Sequence, residues 1–242
     1  MTLLLLAGTR EAQDIARALA GQGRDVLASL AGVTRAPINL GIETRRGGFG
    51  GEQGFRDEVH RRRIRAVLDA THPFAHRISN RTARICAEMG LPYCQLLRPA
   101  WQPEAGDQWT HVAREEDVAP LVTSGQTVFL ATGRQTLERF SNLPHARIIC
   151  RQIDPPEGPF PFPNGEFLIG RPPFPVEKEV ALFQSLGVDW LVVKNAGGEA
   201  SKTKLTAARQ LGIKVAMIAR PPQPEGPKAT NVNEALAWVA AL

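Results

Sequence analysis

The stretch "LLLLAGTREAQDIA", residues 3–16, decides how the rest of the chain is read. Leu3-Leu4-Leu5-Leu6 is apolar at every position and only as long as a short strand. A strand with both faces buried shows this pattern, as strands do when helices cover a parallel sheet on both sides. Gly8-Thr9 breaks the run. Over 11–20 the apolar residues Ile15, Ala16 and Leu19 then share one helical face. Strand, tight turn and amphipathic helix together open a β-α-β unit.

The same alternation continues outward from this stretch. Residues 25–30, 65–70, 125–131, 146–153, 189–194 and 214–219 read as strands. Residues 76–89, 176–186, 201–211 and 231–240 read as helices, the first closed by Gly90 with Pro92 beyond it. Alternation at this pitch predicts an α/β fold with mainly parallel sheets. "TVFLATGRQTLERF" at 127–140 echoes the opening stretch and suggests two similar α/β halves, although a shared strand-turn-helix pattern by itself also produces such an echo. The Pro- and Gly-bearing segment 98–106 interrupts the alternation and serves as the linker, so domains are expected at 1–108 and 109–242. The proline-rich segment 154–163 is expected to be a surface loop within the second domain.

Composition narrows the classes of function. The chain has 242 residues, 43% of them hydrophobic and 22% charged, enough to build cores. The first apolar run is far shorter than the ~20 residues a membrane helix needs. It also lacks the basic start and small-residue cleavage site of a signal peptide. A cytoplasmic protein with no membrane partner is expected. Cys86, Cys94 and Cys150 form no CxxC pair and no metal-ligand spacing, so reduced buried thiols and no metal are expected. The net charge is +5, and residues 1–108 hold 15 Arg, no Lys and 11 acidic residues. Guanidinium groups suit an anionic ligand bearing carboxylates or phosphates. Most of these arginines, His60-Arg61-Arg62-Arg63 among them, are read as solvated charges. With one Tyr and no interleaving of aromatic and basic residues, no nucleic-acid partner is expected.

In parallel α/β sheets ligands bind beyond the carboxyl ends of strands, so the turns there carry the functional reading. Gly8, Thr9, Arg10 and Glu11 form a tight turn and a capped helix start, which serves as an anion site or simply as a well-made cap. Ser29, Thr34 and Arg35 follow the second strand with no acid among them. That suits the 2′-phosphate of NADP better than the bare ribose of NAD, and it also suits an ordinary polar loop. "LDATHPFA" at 68–75 places Thr71 and His72 at a strand end. Pro73 disfavours helical backbone at His72, so the expectation is His72 as the cap and Pro73 as the first helical residue. Histidine at such a corner can move a proton, contact an anion or only cap. Lys194-Asn195-Ala196-Gly197-Gly198 ends an apolar strand in positive charge and permissive backbone, and Lys202 brackets the loop from its far side. A strand ending in lysine is rarely needed for stability, so function is favoured here. Arg171, in "GRPPF" at 170–174, is a further candidate.

Taken in order, "AGTREA" at 7–12, "SLAG" at 29–32, "DATHPFA" at 69–75, "GRPPF" at 170–174 and "VKNAGG" at 193–198 resemble the precorrin-6A reductase family of cobalamin biosynthesis. The resemblance spans essentially the whole chain. One departure is Pro172, which stands where the family pattern tends to have Gly. The resemblance implies two Rossmann-like domains with the active site in the cleft between them. It implies an NADPH-dependent reductase that adds hydride to one double bond of precorrin-6A, giving precorrin-6B. The cofactor would then lie on Gly8, Thr9, Arg10, Glu11, Ser29, Thr34 and Arg35. The polycarboxylated tetrapyrrole would meet Thr71, His72, Phe74, Arg171, Lys194, Asn195, Gly197, Gly198 and Lys202. His72, Lys194 or water would supply or relay the proton. The reverse placement, with NADPH on the Thr132-Gly133-Arg134 turn, stays open, and a monomer is expected. The alternative activity is an NADP-linked reductase or epimerase acting on another carboxylated metabolite. A two-domain binding receptor is the rival outside enzymes.

Overall fold

The computed structural model describes residues 2–32 and 39–242. In chain order it runs β1 (Thr2–Leu6), α1 (Arg10–Gly21), β2 (Val26–Leu30), β3 (Glu43–Arg46), α2 (Gly51–Arg61), β4 (Ile64–Asp69), α3 (His76–Glu88) and β5 (Tyr93–Leu96). It continues with β6 (Trp109–Val112), β7 (Thr127–Leu130), β8 (Arg147–Gln152), β9 (Gly165–Ile169), α4 (Val176–Leu186), β10 (Trp190–Lys194), α5 (Thr203–Leu211) and β11 (Lys214–Ile218). It closes with β12 (Lys228–Ala229) and α6 (Val232–Ala240). Three 3-10 segments, Glu115–Leu121, Arg134–Phe140 and Glu199–Ser201, complete it. Among the described residues no helix is long and apolar enough to cross a membrane.

Two compact units result: Met1–Pro99 with Pro221–Leu242, and Ala100–Arg220. Each is built on a six-stranded sheet in which every pairing is parallel. The first has the order β12-β5-β4-β1-β2-β3, the second β6-β11-β10-β7-β8-β9. In both, the strand sequence reverses direction in mid-sheet, between β1 and β4 and between β7 and β10.

The opening leucines show why these sheets form. Leu3 and Leu5 pack with Ile15 and Leu19 of α1 and Ala235 and Val239 of α6. Leu4 and Leu6 pack on the opposite face with Phe55 and Val59 of α2 and Ile85 and Cys86 of α3. Helices cover both faces, so no polar position survives from Leu3 to Leu6. Burying one such side chain contributes about 1.5–3 kcal/mol. In the second unit Phe129, Leu191, Val193 and Met217 face Phe183 of α4 and Leu205 and Ala208 of α5. The three cysteines are buried and unbridged, and burial pushes their thiols up to about 12 for Cys86 and about 11 for Cys94 and Cys150.

Three details differ from the sequence reading. The domain division is not at 108. β12 pairs with β5 through Lys228↔Gln95 and Ala229↔Leu96, and α6 completes the first core, so the chain's end belongs with its beginning. The supposed linker is partly core of the second unit: Trp101 is 7% exposed, and the Asn195 side chain holds its N–H at 2.8 Å and its C=O at 3.0 Å. The echo at 127–140 repeats the strand and turn but not the helix. A short 3-10 segment replaces it, and Pro144, which disfavours helical backbone at Leu143, limits its length.

Candidate active site

In sheets of this order the ligand position lies outside the carboxyl ends of the strands where the order reverses. In the first unit that point is built from the turns after β1 and β4. Gly8 has φ +152°, where side chains are disfavoured, although an added Cβ would meet nothing within 4 Å. The backbone angle, not crowding, therefore calls for glycine, and the space above it is open. Thr9 is buried and ties the two turns together. Its hydroxyl donates to the Ala70 carbonyl at 2.8 Å and accepts the Ala12 N–H at 3.2 Å as the cap of α1. Thr9→Val removes both bonds and is expected to cost about 1–2 kcal/mol, whereas Thr9→Ser should recover most of it; urea unfolding midpoints check this.

Arg10 is exposed, and Glu11 meets Arg98 at 2.7 Å. Burial alone would raise the Glu11 carboxyl. The Arg98 hydrogen bond and charge, a backbone N–H and Thr9 outweigh burial and hold it below its ordinary value. Ser29 at the end of β2 accepts from Arg45 at 2.9 Å. Arg45 also donates to the Gly47 and Gly48 carbonyls and lies 4.0 Å from the Phe49 ring centroid. Thr34 and Arg35 lie outside the described residues.

Across the reversal, the fully buried Asp69 ends β4. It accepts the Thr71 N–H at 3.0 Å and the Tyr93 hydroxyl at 2.9 Å. Burial, followed by the Asp69 charge, pushes the Tyr93 phenol far up, so it stays a donor. Thr71 and Ser79 hydroxyls are 3.3 Å apart. His72 does not cap α3, whose first residue is His76. Instead 72–75 form a tight turn with Pro73 at its second position, closed by the Ala75 N–H donating to the His72 carbonyl at 2.7 Å. The exposed His72 ring accepts the Phe74 N–H at Nδ1, 3.2 Å away, and lies 5.8 Å from the Phe74 ring. Nδ1 is thereby an acceptor, so the neutral ring carries its proton on Nε2. Gln223 donates to the Pro73 carbonyl at 2.9 Å and is itself held by Gln95 at 2.9 Å, which fixes the turn from below.

The remaining candidates belong to the second unit. Lys194 Nζ is 3.3 Å from Glu115 and 3.2 Å from the Thr136 hydroxyl. Glu115 is buried and also accepts from Arg139 at 3.2 Å. Burial would raise its carboxyl; a backbone N–H, Lys194 and Thr136 together hold it down. Lys194 is thus anchored in an ion pair. Asn195 spends its amide on Trp101, and its carbonyl accepts from Arg220 at 2.6 Å. Gly197 (φ +68°) and Gly198 (φ +86°) need glycine's freedom, and the Gly198 carbonyl accepts from the Trp101 indole at 3.0 Å. Lys202 pairs with Glu104 at 2.7 Å, and Arg171 stands 3.8 Å from Asp154.

Several polar groups that a linear reading passes over are buried at these strand ends: Asp69, Glu115, Gln152 and the Arg151–Glu179 pair. Asp69 and Arg151 carry the signal open to sequence, a charge closing an apolar run, as Lys194 does. Glu115 and Glu179 read as ordinary polar residues until the fold sets cations against them.

Doubly wound parallel sheets with glycine-bearing polar turns at their reversals place the protein among the Rossmann-like α/β proteins. The chain belongs to the precorrin-6x reductase CbiJ/CobK family, whose model matches residues 2–240, and is an oxidoreductase of that family. It is 41% identical to the precorrin-6A reductase of Rhodobacter capsulatus over 98% of this chain and 95% of that one. The precorrin-6A reductase of Mycobacterium tuberculosis is 40% identical over 99% and 98% of the two chains. A solved structure of a CobK precorrin-6A reductase superposes with a TM-score of 0.95 at 40% identity, covering 100% of this chain and 96% of that one. The cobalt-precorrin-6A reductase of Priestia megaterium is 30% identical over 90% of each.

Proposed function

We propose that the protein reduces one double bond of precorrin-6A, giving precorrin-6B, with NADPH as reductant. The observation that carries this is the near-full-length 40–41% identity to proteins named precorrin-6A reductase, against 30% or less for the cobalt-precorrin relatives.

The residues at the first reversal fit a nicotinamide dinucleotide. The open space above Gly8 is one that a Cβ would fill, and α1 begins directly after the turn with its helix dipole aimed there. The corresponding turn at Thr132-Gly133 opens instead into a 3-10 segment, which has no such terminus. On this reading Gly8, Thr9, Arg10, Glu11 and Ser29 hold the cofactor, with Thr34 and Arg35 at its 2′-phosphate. NADPH, when bound, supplies the hydride. The chain's own task is to orient the reactants and supply one proton. His72, protonated from solvent to the imidazolium with its Nδ1 contact to the Phe74 N–H released, donates to the carbon next to the one reduced and returns to the neutral ring that accepts that N–H. Thr71, Phe74, Asn195, Gly197, Gly198, Arg171 and Lys202 bind the macrocycle and its carboxylate arms, and Lys194 holds positive charge at the strand end.

NADPH oxidation monitored with precorrin-6A present and absent tests the activity: oxidation only with the substrate is expected, and none with it would refute the reading. NADP+ titration assigns the cofactor turns. Arg35→Ala should weaken binding about tenfold or more, the value of one charged hydrogen bond, with Arg134→Ala close to wild type. The opposite pattern would move the cofactor to the second unit.

A further inference from the structure

Two polar side chains at the strand ends of the second unit have no part in the reading above. β10, β7 and β8 run in register where the strand order reverses, with Leu130 between Val192 on one side and Cys150 on the other. Two residues further along the three strands stand Lys194, Thr132 and Gln152. Side chains two apart on a strand share a face, so Lys194 and Gln152 follow Val192 and Cys150. That face lies opposite the core that Phe129, Ile149, Leu191 and Val193 form with α4 and α5. The contacts of Lys194 agree. Its ammonium meets Glu115 and Thr136, which belong to two of the 3-10 segments.

Gln152 is 5% exposed, yet neither its amide nitrogen nor its amide oxygen has a hydrogen-bonding partner among the described residues. The buried Thr132 hydroxyl has none either. The Gln152 backbone is satisfied, its carbonyl accepting the Gly170 N–H at 2.9 Å, so the unpaired groups are confined to the side chain. Burying an amide without partners destabilises a fold, and an apolar side chain of the same length would avoid the penalty. A ligand that brings polar atoms to this strand end accounts for an amide here. The amide N–H2 and the hydroxyl are both donors, and they stand at the level of the Lys194 ammonium. Glu115, the carboxylate beside Lys194, already accepts from Lys194 and Arg139. Such a donor set suits a carboxylate.

We propose that Gln152 and Thr132 bind one carboxylate arm of the macrocycle beside Lys194, the Gln152 Nε2 and the Thr132 hydroxyl donating to it. The identity of this ligand rests on the reductase reading above. Both residues then set substrate specificity and take no part in the reduction itself. The Gln152 Oε1 accepts from a water that enters with the arm. Neutrality of the amide is part of the design, because a carboxylate at position 152 would oppose the arm with a like charge.

Steady-state kinetics with precorrin-6A and urea unfolding of the free protein test this on Gln152→Met, Gln152→Glu and Thr132→Val. Gln152→Met should raise the KM for precorrin-6A about ten- to a hundredfold, the value of one hydrogen bond to a charged group. Its kcat and its Kd for NADP+ should stay close to wild type, as expected when binding shared by ground state and transition state is removed. Its urea midpoint should equal or exceed that of wild type, since an unpaired amide gives way to an apolar chain. Thr132→Val should raise the same KM in the same range. Gln152→Glu, close to glutamine in shape, should raise it at least as far as Gln152→Met. An unchanged KM in Gln152→Met, or wild-type KM in Gln152→Glu, would overturn the proposal. So would a Gln152→Met midpoint below that of wild type, because the amide would then be partnered in the free protein. Wild-type protein that oxidises no NADPH with precorrin-6A refutes the reductase reading instead. The Gln152→Met midpoint then still reports on the amide.

Discussion

Glu179→Ala is expected to destabilise the second unit by about 3–5 kcal/mol, the cost of leaving a buried guanidinium without its counter-charge. Arg151 cannot turn to solvent without abandoning the Phe129 and Phe174 rings that flank it. Both of its terminal nitrogens lose their acceptor at once. Glu179→Gln keeps an acceptor oxygen and should lose less. A double replacement, Glu179→Leu with Arg151→Met, should recover much of the loss, because the desolvation cost of both charges disappears with them. Urea unfolding of the three variants checks the order, provided the slope of free energy against urea is unchanged. A Glu179→Ala midpoint equal to wild type would show that the pair is better hydrated than its burial indicates.

His72→Ala should lower kcat by about 10²–10⁴-fold, the usual contribution of a positioned general acid. The KM for precorrin-6A should change much less, and the Kd for NADP+ not at all. This split follows from geometry. The ring is oriented by its own loop, through Nδ1 and the Phe74 N–H, and the cofactor turns do not depend on that contact. His72→Asn can restore the turn by accepting the Phe74 N–H but carries no titratable proton. It should therefore keep the fold and remain slow. Full turnover in His72→Asn would reduce the residue to a turn former. Gln223→Ala offers a control: it releases the Pro73 carbonyl and should lower turnover only in proportion to the disorder it causes at this turn, with Gln223→Glu recovering none of it because its carboxylate cannot donate.

The four opening leucines were legible because burial on both faces erases the alternation a half-exposed strand would show. The turn residues were legible by type: Gly8, Thr9, Thr71, His72, Lys194 and Gly197 stand where apolar strands stop. The edge strands were not. β3 ("ETRR") and β12 ("KA") lack the apolar runs that mark the central strands, and β9 ("GEFLI") carries only three apolar residues, none of them fully buried. Nor was the partner of each charge legible. Lys194 looks like a free cation until Glu115 is brought to it, and Arg151 shows no partner until α4 sets Glu179 against it. The return of the chain's end to the first sheet was equally silent. A short strand and an amphipathic helix carry the same local pattern whichever sheet receives them, and only the pairing of Lys228–Ala229 with Gln95 and Leu96 makes the choice. Periodicity and turn chemistry act between near neighbours in the chain, so sequence by itself determined the α/β class and the strand-end turns. Charge pairing, strand order and unit membership act between residues far apart in the chain, and only the tertiary structure decided them.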